Sequence, residues 1–243
     1  MSNTNKITQE ELNDLLTKYE SFNDSILVEI RPTIVCENQT IYYGEWDKNN
    51  NNRHGRGILL YPDGSKYSGQ WKNNYASGKG KLIHSNGDIY EGEWDADKPN
   101  GFGEYTRIDG SKYKGDWKND KPDGKGEEIW ADGSKYEGDF NEGKKNGYGT
   151  FTWFDGNVYE GNFKDNYMDG KGKYIFSNKS VYEGEFKNGK KDGYGIFTLG
   201  DGKIYKGEWK EGKKEGEGEV YIPSENIWKK GIWNNGKRIQ WIN

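Results

Sequence analysis

Cysteine and long apolar runs are scarce in this chain of 243 residues. Cys36 is the only cysteine, so no internal disulfide can form. No apolar run approaches the roughly 20 residues that span a bilayer, and no charged-then-apolar signal segment opens the chain. A mean hydropathy of −1.20 argues against a thick aliphatic core. These absences predict a protein of the reducing cytoplasm.

An excess of basic charge and the side chains of common active sites are also missing. The chain has 36 Lys and Arg against 40 Asp and Glu, so it lacks the basic surface that neutralises phosphates in nucleic-acid binders. There are only 2 His, and no Cys/His spacing suits zinc. The Gly-x-Gly pairs never open a helix as a dinucleotide loop does. We therefore predict no enzyme activity, no cofactor, no metal site and no nucleic-acid partner.

Glycine and aromatic residues are abundant, and they recur as a repeat. The chain has 36 Gly, 18 Tyr, 10 Trp and 9 Phe. A fixed period of 20 to 50 residues is typical of repeat architectures. From the second repeat the period is 23 residues, while the first step is 25 because of extra residues in an Asn-rich loop. The phrase Tyr-x-Gly-x-Trp/Phe begins at Tyr42, Tyr67, Tyr90, Tyr113, Tyr136, Tyr159, Tyr182 and Tyr205.

Each repeat has the pattern of a β-hairpin. Alternation places Tyr136, Gly138 and Phe140 on one face of a strand and the intervening acidic residues on the other. Repeats usually end in Asp-Gly, which supplies the positive φ angle of a hairpin turn. A glycine without Cβ lets a neighbouring ring lie flat on the backbone. The sequence predicts an all-β fold, an elongated single-layer antiparallel β-meander of about eight 23-residue hairpins.

The N-terminal segment, residues 1–32, differs from the repeats. Thr8 and Glu11 match a capping box, and Ile7 with Leu12 matches a hydrophobic staple, which predicts a short amphipathic helix from Gln9 to about Tyr19. Two functions remain open for this helix: it caps the first hairpins, or it docks on a partner. Its apolar face comprises Leu12, Leu15, Leu16 and Tyr19.

The predicted array covers residues 33–243. It starts with a half repeat at 33–41, continues with eight repeats from residue 42, and ends with a degraded C-terminal cap at 229–243. The last strand is either a plain terminal cap or an exposed edge through which two copies pair as a homodimer.

The combination of Tyr-x-Gly-x-Trp, a polar loop and Gly-x-Gly on a 23-residue period resembles the MORN (membrane occupation and recognition nexus) repeat family. The resemblance covers residues 33–243. It departs from the family pattern at the 25-residue first step, at Asn178-Lys179 and Glu225-Asn226 in place of Asp-Gly, and in the last unit.

The resemblance implies an aromatic-lined groove that receives segments of partner proteins. Stand-alone arrays of this kind are similar to those of radial-spoke-head and other ciliary proteins. We therefore expect a non-enzymatic scaffold for protein–protein interactions in a cilium (axoneme) or another cytoskeletal assembly of the cytoplasm. The predicted groove residues are Tyr90, Trp94, Tyr113, Trp117, Tyr136, Phe140, Tyr159 and Phe163.

The same resemblance suggests a second function, that of a peripheral membrane adaptor binding anionic phospholipids through loop lysines. Acidic neighbours and screening by salt oppose this function, and lysines in solvated turns are common. The lysines concerned are Lys144, Lys145, Lys190, Lys191, Lys213 and Lys214.

Overall fold

The computed structural model describes residues 7–36 and 38–242. Two compact units make up the chain, one ending at Pro122 and one starting at Asp123. Among the described residues, the first unit holds one helix and eight complete strands, each strand antiparallel to the next. These elements are α1 (Gln9–Lys18), β1 (Val28–Val35), β2 (Ile41–Asp47), β3 (Arg53–Leu60), β4 (Lys66–Lys72), β5 (Tyr75–Ile83), β6 (Ile89–Asp95), β7 (Lys98–Thr106) and β8 (Lys112–Lys118).

The second unit begins inside β9 and consists of strands that each pair antiparallel with the next. Both units are thus β-meanders, which confirms the predicted fold class. The strands are β9 (Lys121–Ile129), β10 (Lys135–Asn141), β11 (Lys144–Thr152), β12 (Val158–Lys164), β13 (Tyr167–Ile175), β14 (Val181–Lys187), β15 (Lys190–Thr198), β16 (Ile204–Lys210), β17 (Lys213–Ile222), β18 (Ile227–Asn234) and β19 (Lys237–Ile242).

A tyrosine ring covers a pair of glycines in most of the repeat hairpins. In the β10–β11 hairpin, Gly138 pairs with Gly149, and the Tyr136 ring lies over both. A Cβ on Gly149 would lie 2.5 Å from the Tyr136 hydroxyl oxygen, so no larger residue fits there without moving the ring. The Tyr136 hydroxyl donates a hydrogen bond to the carbonyl oxygen of Asp139 at 3.0 Å. The predicted packing of rings on bare backbone is therefore present.

The first glycine of each Gly-x-Gly has a different role, because it forms a β-bulge. Gly147 has a φ of +110°, which L side chains rarely adopt, and the β10–β11 register shifts between Gly138 and Phe140. The amide of Tyr148 next to it donates to the Asp139 carboxylate at 2.9 Å. The Asp139 carboxylate thus accepts a hydrogen bond from a backbone amide that the bulge leaves without a backbone partner on β10.

Aromatic rings connect neighbouring repeats within each unit. In the first unit, the Tyr67 ring meets Trp71 of its own repeat at 5.0 Å between centroids and Trp94 of the next repeat at 5.1 Å. In the second unit, Tyr159 meets Phe163 and Phe186 at 5.1 and 5.0 Å. All four contacts are edge to face, the geometry that aromatic quadrupoles favour. We call the sheet face that carries these rings the ring face, and the opposite face the charged face.

Helix α1 packs on the charged face of the first hairpins. Thr8 and Glu11 form the expected capping box, and Leu12 and Leu15 are buried. Their hydrophobic cluster includes Ile58 of β3, together with Ile7, Leu60, Leu16, Ile41 and Tyr43. The chain thus covers its own apolar patch at the start of the array.

The two ends differ in detail from the predicted boundaries. Strand β1 starts at Val28 and pairs with β2, so pairing already begins before residue 33. Residue 37 of the predicted half repeat, residues 1–6 of the N-terminal segment and residue 243 lie outside the described residues. At the other end β18 and β19 form a hairpin, and Trp233 meets Tyr205 at 5.0 Å between centroids. The degraded last repeat therefore continues the ring contacts.

Candidate interaction site

The eight predicted groove residues are buried within the sheet's own packing. Their exposed fractions range from 0% at Tyr136 to 9% at Trp117, and the edge-to-face contacts account for this burial. These rings pack against one another and hold the repeats together, so most of their surface is not accessible to a partner protein. Their role in binding a partner stays a prediction, and atoms beside them have to provide most of the contact area.

A second set of rings, which the sequence analysis did not single out, lies beside the buried ones in the second unit. Each ring centroid is 4.4 to 5.7 Å from the next, and each side chain is partly exposed. The large residues at alternate positions after Gly-x-Gly were the available signal. We call this set the outer aromatic row; its members are Trp130, Phe151, Trp153, Tyr174, Phe176 and Phe197.

The six loop lysines fall into two groups with different surroundings. In the first group, Lys144 and Lys190 are exposed and form ion pairs with Asp165 and Glu211 at 2.9 and 2.5 Å. The third member of this group contacts the Asn235 side chain. Each pair of consecutive lysines forms the start of a strand, so its two side chains point to opposite faces of the sheet. The first group is Lys144, Lys190 and Lys213, and the second, which packs over aromatic rings, is Lys145, Lys191 and Lys214.

The second-group lysines lie on the ring face. The Lys145 ammonium is 4.5 Å from the Trp130 ring centroid and 2.7 Å from the Glu128 carboxylate. Burial lowers the pKa of Lys214, and the nearby charge of Lys203 acts in the same direction. A lysine that packs on rings presents less charge to an anionic surface than a freely solvated one. Phospholipid binding by all six lysines stays a prediction.

The charged face is polar and carries a regular alternation. From the second to the seventh repeat, the middle residue of Gly-x-Gly alternates between lysine and an aromatic residue. All six side chains are exposed. Within each unit, equivalent positions in successive repeats lie about 10 Å apart, the width of two strands. The residues are Lys79, Phe102, Lys125, Tyr148, Lys171 and Tyr194.

The apolar residues predicted for docking by α1 are used inside the chain. Leu12 is fully buried, and Leu15 and Tyr19 are almost so. This packing corresponds to the capping alternative, and docking through these residues would require the helix to leave the sheet. At the C-terminal edge, Ile239 of β19 is 62% exposed and Trp241 is 38% exposed. Pairing of two copies along this edge stays a prediction.

Within residues 7–36 and 38–242, no group of three or more His, Cys, Asp or Glu has a geometry that could hold a metal ion. Within the same ranges, no helix is long and apolar enough to cross a membrane.

Comparison with protein families gave a match over most of the chain. The family model described as "MORN repeat" matches eight consecutive segments that leave no gap between residues 42 and 226. Comparison with curated proteins gave no match. The matched segments are 42–66, 67–89, 90–112, 113–135, 136–158, 159–181, 182–204 and 205–226.

Comparison with solved structures gave weak likenesses. The TCP10 domain of CPAP from Danio rerio is 12% identical with a TM-score of 0.47, over 87% of this chain and 99% of that chain. The TCP domain of SAS-4 (dCPAP) from Drosophila melanogaster, solved with a proline-rich motif of Ana2, is 12% identical with a TM-score of 0.41, over 74% and 90%. A virginiamycin B lyase from Staphylococcus aureus has a TM-score of 0.16 at 13% identity, over 89% and 85%. None of these likenesses supports a functional argument.

Proposed function

This chain belongs to the MORN-repeat family, and we propose that it is a non-enzymatic scaffold that binds other proteins through the outer aromatic row of its second unit. The supporting observation is the row itself. Six rings in mutual contact remain partly exposed, although the tyrosines beside them are fully covered. Contiguous apolar surface of this kind marks binding sites, and aromatic side chains dominate the energy of protein interfaces.

The charges around the row favour a protein partner over a lipid surface. The exposed loop lysines Lys144 and Lys190 already have carboxylate partners, and Lys145 pairs with Glu128. A membrane adaptor needs lysines that are free to face anionic headgroups. Phospholipid binding is therefore the second candidate, and it rests on the family resemblance alone.

The assembly to which this scaffold belongs is also part of the proposed function. We propose a cilium or another cytoskeletal structure, because repeat arrays similar to this one occur in radial-spoke-head proteins. A series of similar repeats suits a spacer that holds partners at regular intervals. Localisation of a tagged chain in ciliated cells tests this part, and exclusion from the cytoskeletal fraction contradicts it.

The binding surface is tested by site-specific cross-linking in cell extracts. A photoreactive phenylalanine replaces Trp153 or Phe176 of the outer aromatic row, and in the control chains it replaces Tyr148 or Tyr194 of the charged face. We expect cross-links to a defined protein from the first pair and none from the second. Equal cross-linking from both faces, or none from Trp153 and Phe176, contradicts the proposed surface.

A matched pair of variants measures the contribution of these rings to affinity. Replacing Trp153 and Phe176 by Ser should weaken binding of the cross-linked partner by about 100-fold, as expected for interface hot spots. Replacing Tyr148 and Tyr194 by Ser removes two aromatic rings from the opposite face and should leave the affinity within about threefold.

A further inference from the structure

Lys191 lies in an enclosure of four aromatic rings. Its ammonium nitrogen is 4.2 Å from the ring centroid of Phe197, 4.7 Å from Trp209, 4.8 Å from Tyr182 and 5.0 Å from Phe176. The residue is the second of β15 and pairs with Phe186 of β14, which places it on the ring face. The Lys191 ammonium group, which is strongly hydrated in water, thus contacts the faces of four aromatic rings instead.

The Lys191 ammonium has no anionic partner in the part of the chain that the structure describes. The equivalent Lys145 has one, the Glu128 carboxylate at 2.7 Å. The charge that acts most directly on Lys191 is that of Lys214, which has the same sign. The only titratable ring of the enclosure is the phenol of Tyr182, whose pKa is raised by burial. Ring quadrupoles alone therefore offset the loss of hydration and the repulsion from Lys214.

The fold does not require a lysine at this position. The same position in other hairpins, opposite the aromatic residue of the first strand, is occupied by Ala76, Pro99 and Met168. These residues form the same ladder without a charge. The amine of Lys191 is therefore an addition to the hairpin and has no part in its construction.

The surroundings favour the neutral amine. Burial, followed by the charge of Lys214, lowers the pKa of Lys191 to about 8. About a tenth of the Lys191 side chains then carry a free electron pair near pH 7, far more than for a solvated lysine. Desolvation and a neighbouring cation are the usual means by which proteins turn a lysine into a nucleophile. The Lys191 residue is also partly exposed to solvent.

We propose that the Nζ atom of Lys191 is an acylation site that takes an acyl group from a thioester. The amine electron pair attacks the thioester carbonyl carbon, a C–N bond forms, and the C–S bond breaks with its electron pair leaving on the thiolate. The proton lost from nitrogen passes to solvent. The product is a neutral amide, which ends both the repulsion from Lys214 and the cost of an unhydrated charge. Methylation would keep the charge, so acylation fits the site better.

The experiment follows acylation of the full chain by acetyl-coenzyme A at about pH 7.5, with the extent at each lysine measured by mass spectrometry. Lys190 is the internal control, since it is adjacent, exposed and paired with Glu211. We expect Lys191 to react at least about tenfold faster than Lys190, because burial lowers the pKa of Lys191 and increases its neutral fraction. Equal rates at the two lysines overturn the proposal.

Two further measurements separate the enclosure from simple accessibility. The Lys214→Glu variant places an anion beside Lys191 and should slow its acylation by about tenfold, whereas Lys210→Glu at the end of the neighbouring strand β16 should not change it. In a chain unfolded by urea, Lys191 and Lys190 should react alike. An unchanged rate in Lys214→Glu, or a preference for Lys191 that persists after unfolding, overturns the proposal.

Discussion

The Tyr136 ring meets the Phe163 ring of the next repeat edge to face, with 5.0 Å between centroids and 83° between planes. Phe163 is therefore shared by two hairpins. Phe163→Ala should lower the free energy of unfolding by about 3 kcal/mol, as for other buried aromatic residues. Hydrogen exchange should show faster exchange in both residues 136–158 and 159–181, and damage confined to one hairpin contradicts shared stability. Phe154→Ala, at a ring that is 72% exposed, is the control.

The Tyr136 ring and Gly149 should show strong coupling in a double-mutant cycle. Gly149→Ala should cost about 2 kcal/mol, because its Cβ has no space beneath the ring. In the Tyr136→Ala background the same change should cost at least about 1 kcal/mol less, since all three atoms nearest to that Cβ belong to the ring. Chemical denaturation of the four proteins measures the coupling. Additive costs contradict the packing of the ring on glycine.

The charge state of Lys191 should make stability depend on pH. Its pKa in the folded chain is lowered to about 8, below the unfolded value, so the unfolded chain binds more protons between the two values. The free energy of unfolding should therefore rise as the pH rises from about 7 to about 9.5. Lys191→Met, which copies Met168, should be the more stable protein near pH 7 and lose its advantage at the higher pH. Denaturation at both pH values measures this, and a constant difference contradicts it.

Loop lysines should contribute little to membrane binding. Because Lys144 and Lys190 are paired with carboxylates, we expect weak flotation with vesicles that contain phosphoinositide. A variant with both residues changed to Glu should float no differently, and it leaves the ring-packed lysines intact. Flotation that requires phosphoinositide and is lost in the variant supports the membrane adaptor instead.

Helix α1 should stabilise the first hairpins. Leu12 is completely buried between the helix and β3, so Leu12→Ala should cost about 3 kcal/mol and speed hydrogen exchange in β2 and β3. Asp14→Ala on the exposed side of the helix should change stability by less than about 0.5 kcal/mol. No loss of stability in Leu12→Ala would instead favour a helix held ready for a partner.

Regular alternation made part of this structure predictable. Tyr136, Gly138 and Phe140 lie on one face of β10 because the strand is uninterrupted there. The capping box of Thr8 and Glu11 was predictable because its signature is local and spans one helical turn.

The features that the sequence did not predict lie where the regular strand pattern is interrupted or where a strand begins. Gly147 lies in a bulge that shifts the pairing by two residues, so simple counting across it reveals neither the positive φ of Gly147 nor the hydrogen bond from the Tyr148 amide to Asp139. Lys190 and Lys191 read as one basic pair in a loop. They differ because β15 already begins at Lys190, which sends one side chain to solvent and the next over the rings.

The alternation of lysine with an aromatic residue on the charged face has a consequence for how such an array can change in length. Deleting the single repeat 136–158 would remove Tyr148 and place Lys125 and Lys171 in consecutive repeats. The alternation of lysine and aromatic residues would then be out of phase in all later repeats. Deleting or duplicating two adjacent repeats preserves the order. The smallest segment that can be gained or lost while keeping the alternation on the charged face is therefore a pair of adjacent repeats, even though each single repeat forms the same kind of hairpin.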